Sequence, residues 1–462
     1  MKLLKVFAAV LVSAVALSSC YWTSNLGQGG LTIDFSQIQS KQAGDVVRVY
    51  LLADGKLFST GGGVPFSAQV VIAPYPDETK VSIQGLPVGP QYQALLGVGP
   101  MSGGVFAPNS YGKSGLFQVS PGTDTTVPVS LNSLYTFNGI YFSSELMGKN
   151  LKGAVGAGSF SAYTAEDSKL YLTNLYYDGA LFTYVLSVIS SYDLIADPNG
   201  DGVNSFRVNG LADDGAGLAS DAFISAPNGV LPFNFTAVAV PAWTFQPTFS
   251  STLGGSKDIL ESADFFDGTY YDFFFRRANG LGGFSTLASS WVNLDVPGVL
   301  DLAVSDKNAY FATESGAFAL PPGFLTDSTP TLAGHKVPFS APADVVSLDF
   351  SPSSSFLFMG TTNGVWEAFV DEASGVNVGT ATQIPETAGQ KIEHIAVSRY
   401  NPSVNQAFLS NYWLYIRHYT TVYEIPFFAV LPGKPTGMAW DSSGVLYISG
   451  TEGLSSVYVG AC

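Results

Sequence analysis

The chain has 462 residues, of which only 12% are charged while 46% are hydrophobic and 13% aromatic, with 50 glycines, 23 tyrosines and 33 phenylalanines. Disordered chains are poor in aromatics, so this composition belongs to a folded protein, and low charge with steady glycine punctuation suits a sheet-rich exported one. The formal net charge of −16 excludes nucleic acid as a partner and excludes attachment to an anionic membrane face by electrostatics alone.

The chain opens MKLLKVFAAVLVSAVALSSC, with Lys2 and Lys5 ahead of an unbroken apolar and small stretch over residues 6–17. Twelve such residues cannot span a bilayer core of ~30 Å, and no later segment reaches the ~18 uncharged apolar residues a spanning helix needs. Residues 1–19 are therefore predicted to be a secretion signal. Leu17-Ser18-Ser19-Cys20 resembles the lipobox of bacterial lipoproteins. That resemblance implies diacylglyceryl transfer to the Cys20 thiol, cleavage before Cys20 and acylation of the new amine. It also implies residence on the cell envelope, expected at the outer membrane, with the membrane as a partner through the lipid. Acyl chains at ~0.8 kcal/mol per buried methylene make such an anchor durable. Losing Lys2 and Lys5 with the leader takes the net charge from −16 to −18. The other cysteine is Cys462. With Cys20 lipidated no intramolecular disulfide forms, so stability must come from core burial, and Cys462 reads as an inert thiol or a tether to a partner.

Residues 20–30 read as a lipidated tether. Period-2 alternation follows over residues 31–132: Leu31, Ile33 and Phe35; Val47, Val49 and Leu51; Val81 and Ile83; Val127, Val129 and Leu131. Turn signals separate these sets at Asp54-Gly55, Gly61-Gly62-Gly63 and Pro121-Gly122, and no ten-residue stretch carries a helical stripe. Within V81-S-I-Q-G-L-P-V-G-P-Q-Y-Q-A-L-L-G-V98, Gly85-Leu86-Pro87-Val88-Gly89 marks a tight turn and Tyr92 begins the next strand. This pattern, with the closing edge T126-V-P-V-S-L131, resembles transthyretin-like and carboxypeptidase-regulatory-like β-sandwiches. The resemblance implies a sandwich used as spacer or adaptor and says almost nothing about activity.

From about residue 133 the texture becomes a repeat of apolar pair, short strand, polar turn, strand, then Thr or Ser near Gly. Taking Leu302, Leu348, Ile395 and Met438 as equivalent gives spacings of 46, 47 and 43 residues, the period of propeller blades. P435-T-G-M-A-W-D-S-S-G-V-L-Y-I-S-G450 resembles the blades of NHL and YVTN-type propellers, D167-S-K-L-Y-L-T-N174 fits the same template, and residues 261–275 fit it loosely. The expected architecture is all-β: an N-terminal β-sandwich over 31–132, then a six- or seven-bladed β-propeller over 133–462, with further stacked sandwiches as the alternative. A propeller must close, and the apolar run 136–142 is the available partner for the terminal strand at 456–460.

Asp197-Pro198-Asn199-Gly200-Asp201-Gly202 matches the first half of a calcium loop, in which oxygen ligands at alternate positions converge on a hard cation and a glycine permits the turn. Asp197, Asn199 and Asp201 are thus candidate ligands for a structural calcium. The twelfth position is Val208 rather than Glu and the ninth is Ser205, so the plain reading is an Asx-rich turn, with Asp213 or Asp214 available to complete a shell. Residues 261–277 gather Asp264, Asp267, Asp272, Arg276 and Arg277 among aromatics. They read either as a carboxylate-and-aromatic sugar site or, more simply, as one blade strand with acids at its ends. His335, His394 and His418 lack metal spacing, and no nucleophile elbow, P-loop or C-x-x-C occurs, so no residue is singled out as catalytic. The reading that results is a membrane-anchored envelope lipoprotein acting as a non-enzymatic platform for protein or glycan partners. The alternatives are a propeller hydrolase or lactonase with an axial metal, and a purely structural envelope component.

Overall fold

The computed structural model describes residues 28–133 and 139–459, with its larger gaps at 37–44, 59–66, 72–79, 195–206, 214–219, 235–243, 246–258, 321–335, 338–343 and 427–432. The chain divides into two compact units, residues 1–135 and 136–462. Apart from a 3-10 turn at Pro385–Thr387, every named element among the described residues is a strand. No helix there is long and apolar enough to cross a membrane.

In the first unit two sheets share one core, beside a two-stranded ribbon of Met101–Ser102 and Val105–Phe106. In the smaller sheet Gln28–Asp34 lies between Asp124–Pro128, which is parallel to it, and Lys80–Pro87, which is antiparallel. The larger sheet runs Ser130–Ser133, Ser110–Lys113, Gln91–Gly99, Val46–Ala53 and Lys56–Leu57, with Phe117–Gln118 and Ser67–Val71 pairing from the side. Leu31, Ile33, Val81, Ile83 and Val127 of the first sheet pack on Val47, Val49, Leu51, Ala94, Leu96 and Val98 of the second. This is the period-2 alternation turned into a sandwich core. Tyr92 is fully buried at its centre, between Phe58 and Phe117 with ring centroids 5.9 Å away on each side. Its hydroxyl donates to the Pro87 carbonyl at 2.8 Å, pinning the turn that Gly85 (φ 78°) and Gly89 (φ 123°) make possible. The Gly-Leu-Pro and Tyr of the sequence pattern are the two halves of this one clamp.

The second unit is a β-propeller. Among the described residues its strands fall into seven groups, taken here as blades in chain order. The first is Leu151–Ala157, Phe160–Ala165, Lys169–Asp178 and Thr183–Asp193; the second Arg207–Asp213, Ser220–Ala226, Gly229–Asn234 and Thr244–Phe245; the third Ile259–Phe266, Tyr271–Arg277, Gly280–Ser285 and Ser290–Asp295. The fourth is Val299–Val304, Ala309–Thr313 and Gly316–Ala319, with Lys336 bridging Phe318; the fifth is Val345–Ser351, Phe356–Thr361 and Gly364–Asp371 with two short edge strands. The sixth is Ile392–Val397, Asn405–Ser410, Trp413–His418 and Thr421–Pro426. The seventh is Pro435–Trp440, Val445–Gly450 and Gly453–Tyr458, completed by Gly139–Phe142 from the opposite end of the unit. The first strand of each blade adjoins the first strand of the next, and the seventh adjoins the first, so the ring closes.

Each of these inner strands carries a one-residue register slip, at Lys152/Val155, Val208/Leu211, Ile259/Glu261, Val299/Asp301, Val345/Ser347, Ile392/His394 and Pro435/Gly437. Leu302, Leu348, Ile395 and Met438 each follow their slip by one residue, so the sequence alignment of the four late blades holds to the residue. Of the four, Leu302 and Leu348 are buried, whereas Ile395 and Met438 are half-buried. At that seam Trp440 does the filling, its indole N–H donating to the Ala396 carbonyl at 3.0 Å. The match at Asp167 is displaced by one strand: it falls on the second turn and third strand of the first blade, not the first turn and second strand.

Blades are held to each other by apolar clusters and by aspartates. Ala303, Tyr310 and Ala312 of the fourth blade pack on Leu348, Phe350 and Leu357 of the fifth, and Tyr310 stacks on Phe350 with centroids 5.9 Å apart. Asp301 accepts from its own neighbour Leu302 N at 3.0 Å and from Leu348 N of the next blade at 2.7 Å. Asp349 repeats this with Phe350 N at 2.8 Å and Val397 N at 2.7 Å. Each carboxylate thus satisfies one donor in its own strand and one across the seam.

The closing seam is the most polar of those described. Gly139, Ile140, Tyr141 and Phe142 pair with Tyr458, Val457, Ser456 and Ser455, which places the expected N-terminal strand against the expected terminal one. Behind this pairing Asp441 accepts from Ser443 N at 2.8 Å, Val445 N at 2.9 Å and the Tyr447 hydroxyl at 3.1 Å. The Tyr447 oxygen accepts in turn from Leu175 N of the first blade at 3.2 Å. Burial outweighs these donors and pushes the Asp441 carboxyl up to about 6. Gly156 of the first blade is the close approach here, since a Cβ on it would stand 1.8 Å from the Trp440 carbonyl oxygen.

Two predictions follow from these seams. Asp349→Ala leaves two backbone N–H groups without their acceptor and is expected to cost about 1–3 kcal/mol in urea unfolding of the propeller; Asp349→Asn, keeping one acceptor, should cost less. For Asp441 the folded-state pKa lies above the unfolded value of 3.8, so the folded unit takes up a proton and its contribution is lost as pH rises through about 6. Relative to Asp441→Asn, the wild-type protein should gain about 2 kcal/mol of stability on going from pH 7 to pH 4. A difference between the two that stays flat with pH would show the carboxyl to be ordinary.

Candidate interaction face

Each blade is an antiparallel meander, so its first and third turns lie at one end and its second turn at the other. The inner strands run in the same sense around the ring: Gly153 pairs in parallel with Val208, and the Asp301 and Asp349 bridges reach forward by 47 and 48 residues with the same geometry. All first and third turns therefore share one face of the propeller, and all second turns share the other.

The two faces differ in chemistry. In the fourth, fifth and sixth blades the second turns are short and internally closed by a hydroxyl. Thr313 Oγ1 bonds the Gly316 carbonyl at 3.2 Å and receives Ser315 N at 3.1 Å. Thr361 does the same with Gly364 at 2.8 Å and Asn363 at 3.0 Å, and Ser410 with Trp413 at 3.2 Å and Tyr412 at 3.3 Å. This is the physical content of the "Thr or Ser near Gly" in the repeat. On the first blade that face is ionic, with Lys149 Nζ at 2.7 Å from Asp167 Oδ2 and the Tyr171 hydroxyl at 2.5 Å from the same oxygen. These partners hold the Lys149 ammonium above its usual range.

The face of the first and third turns is aromatic. Among the described residues of the second unit, seven large hydrophobic side chains are exposed, and the five aromatic ones all lie on it. Tyr176 and Tyr177 stand at the end of the third strand of the first blade, and Phe369 near the end of the third strand of the fifth. Tyr400 is in the first turn of the sixth blade and Tyr419 in its third. Three of these rings are braced edge-on by a second ring: Tyr177 by Tyr184 (5.4 Å, 70°), Phe369 by Phe356 (5.9 Å, 76°) and Tyr419 by His418 (4.8 Å, 80°). Tyr184 itself lies 5.1 Å from Tyr458 and 5.7 Å from Tyr141 of the seventh blade, making a tyrosine cluster over the closing seam. Burial, with the neighbouring phenols adding, pushes Tyr141 up to about 12, so that phenol is neutral at ordinary pH. Burial lowers His418, whose Nδ1 lies 3.0 Å from Asn405 Oδ1. Tyr419 has φ 54°, a left-handed conformation that costs a non-glycine residue about 1 kcal/mol or more.

Of the residues singled out from sequence, His418 stands on this face, against Tyr419. Cys20, the calcium-loop positions Asp197, Asn199 and Asp201, and His335 lie outside the described residues, as does Asp267. Val208, the twelfth loop position, is an inner-strand residue of the second blade, and Asp213 ends that strand. Residues 261–277 are not one strand but a hairpin, with Asp264 opposite Phe273, Asp272 opposite Phe265 and Glu261 opposite Arg276. Two of its carboxylates thus sit within paired strands rather than at turns. His394 sits at the register slip of its inner strand and His418 at the end of a third strand, two strands away. Among the described residues no three His, Cys, Asp or Glu side chains are grouped to hold a metal. The aromatic face was missed in the sequence because it has no local motif; its signal is aromatics beside odd turns of the first, fifth and sixth blades, visible only once strands are counted.

No family model matches the chain, and no curated protein does. Solved structures similar to it include the extracellular domain of the B. thetaiotaomicron hybrid two-component system BT4673, at 15% identity and a TM-score of 0.45. The match covers 69% of this chain and 39% of that one. Streptogramin B lyase matches at 13% identity and a TM-score of 0.45, covering 69% of this chain and 96% of its own. The WD40 β-propeller domain of Doa1 matches at 12% and 0.43, covering 70% and 97%. The likeness is one of architecture and carries nothing about activity, ligand or partner.

Proposed function

We propose that this chain is an exported lipoprotein anchored through Cys20, whose propeller is a non-enzymatic binding platform. The observation that carries the platform reading is the asymmetry of the two faces among the described residues: five exposed aromatic side chains on the face of the first and third turns, against short, self-closed turns of the fourth, fifth and sixth blades on the other. Exposed rings cost free energy in water, so their gathering on one side is the signature of a surface that meets something. The leader, with Lys2, Lys5, the apolar run 6–17 and Leu17-Ser18-Ser19-Cys20, supports export and lipidation. The N-terminal unit serves in this reading as the spacer between membrane and platform.

Cys20→Ser is expected to move the protein from the detergent phase to the aqueous phase on partitioning; retention in the detergent phase would remove the lipid anchor from the proposal. The platform is tested by crosslinking in the native envelope. Tyr177→Ala and Phe369→Ala should each lower the yield of crosslinked material severalfold, whereas Met147→Ser, an exposed apolar residue off that face, should not. Equal yields from all three would refute the assignment of the face.

A further inference from the structure

We infer that the ligand of the aromatic face is an uncharged polysaccharide, laid across the braced rings of Tyr177, Phe369 and Tyr419. The inference rests on the platform reading above and deepens it. Three observations separate a glycan from a protein partner. First, among the described residues the exposed rings are distributed over three blades, the first, fifth and sixth. A protein partner needs a desolvated centre where anchors cluster, whereas a chain of repeating sugars offers an apolar C–H face at regular intervals and meets separated rings equally well. Second, each of the three rings is held edge-on by a neighbour at 70–80°. The brace fixes the ring plane before anything binds and removes the ordering cost that makes stacking on a mobile ring weak. Third, the charge of the chain selects against polyanions. At a net −16 with only 20 Lys and Arg, an acidic polysaccharide is repelled, and an uncharged one is not.

The backbone at Tyr419 adds an independent mark. A tyrosine at φ 54° occupies a position where Gly or Asn would be more stable, and an aromatic ring is what the fold presents there in their place. A strained residue that also presents a braced, 56% exposed ring fits a binding role better than a packing one. Tyr419→Asn therefore separates the two: it removes the ring while relieving the strain.

The test is native affinity electrophoresis of the whole chain through gels containing soluble starch, laminarin, galactomannan or xyloglucan. Retardation in at least one gel is expected. Tyr419→Asn and Phe369→Ala should each weaken the apparent affinity about fivefold, with Met147→Ser unchanged. Tyr419→Asn should do so with a thermal midpoint equal to or above that of the wild-type protein. No retardation in any of the four gels, or retardation indifferent to the ring variants, overturns the inference. If in addition the same variants abolish crosslinking to a protein of the envelope, the glycan assignment fails and the platform stands; if neither binding nor crosslinking depends on the rings, both fail.

Discussion

A ring of sheets has to close, and most of what distinguishes the second unit follows from how it does so. Strand edges left unpaired in an aromatic-rich, weakly charged protein are templates for aggregation. The seventh blade has three strands of its own, and its fourth, Gly139–Phe142, comes from the beginning of the unit. That strand follows the last strand of the first unit, Ser130–Ser133, after five residues. The two ends of the propeller are thereby joined by backbone hydrogen bonds rather than by a covalent bridge, consistent with a chain whose two cysteines stand at positions 20 and 462. Closure also dries the seam behind it. Asp441, Tyr447 and Tyr163 are buried there, and the carboxyl is raised because the low-dielectric seam penalises its charge more than its donors compensate.

The second constraint is the parity of the meander. Alternating strands put odd turns on one face and even turns on the other, and the sequence has specialised the two. Even turns are spent on stability: one Thr or Ser hydroxyl closes each of those at Thr313, Thr361 and Ser410, and the chain reverses within a few residues. Odd turns are where Tyr400 and Tyr419 stand, with Tyr177 and Phe369 beside them. A surface for recognition can evolve at the odd turns without disturbing the hydroxyl closures that hold the blades in register.

Much of this architecture was legible in the chain. Alternation in Leu31, Ile33, Val47, Val49, Val81 and Ile83 identified core positions of the sandwich unit because a strand with one buried face must show period 2. The 43–47-residue spacing of Leu302, Leu348, Ile395 and Met438 identified equivalent positions because each blade repeats the same slip and inward step. The early blades were less readable. Their repeats are not held to the late template, as the displaced match at Asp167 shows, and the run 261–277 reads as a single strand because its two strands are both aromatic and the turn between them lacks glycine-rich punctuation beyond Gly268. The interaction face was not legible at all. Its rings are spread between residues 176 and 419, and only strand parity, a property of the folded meander, brings them to one side.

The two oddities of composition noted at the outset, many aromatics and an acidic balance, then become parts of one compromise. Rings presented to solvent on one face invite association between copies of the chain, the more so if they merge into a single patch. Here, among the described residues, they are distributed over three blades, and each is only partly exposed, at 42–56%. A net charge of −16 adds repulsion between copies that acts over about a Debye length, ~8 Å at physiological salt. Two such faces meeting ring to ring would have to bring both charge distributions within that distance, whereas an uncharged chain laid across the rings would not. The composition that speaks against nucleic acid at first reading is, on the proposed reading, the same property that leaves an aromatic face open for a neutral ligand.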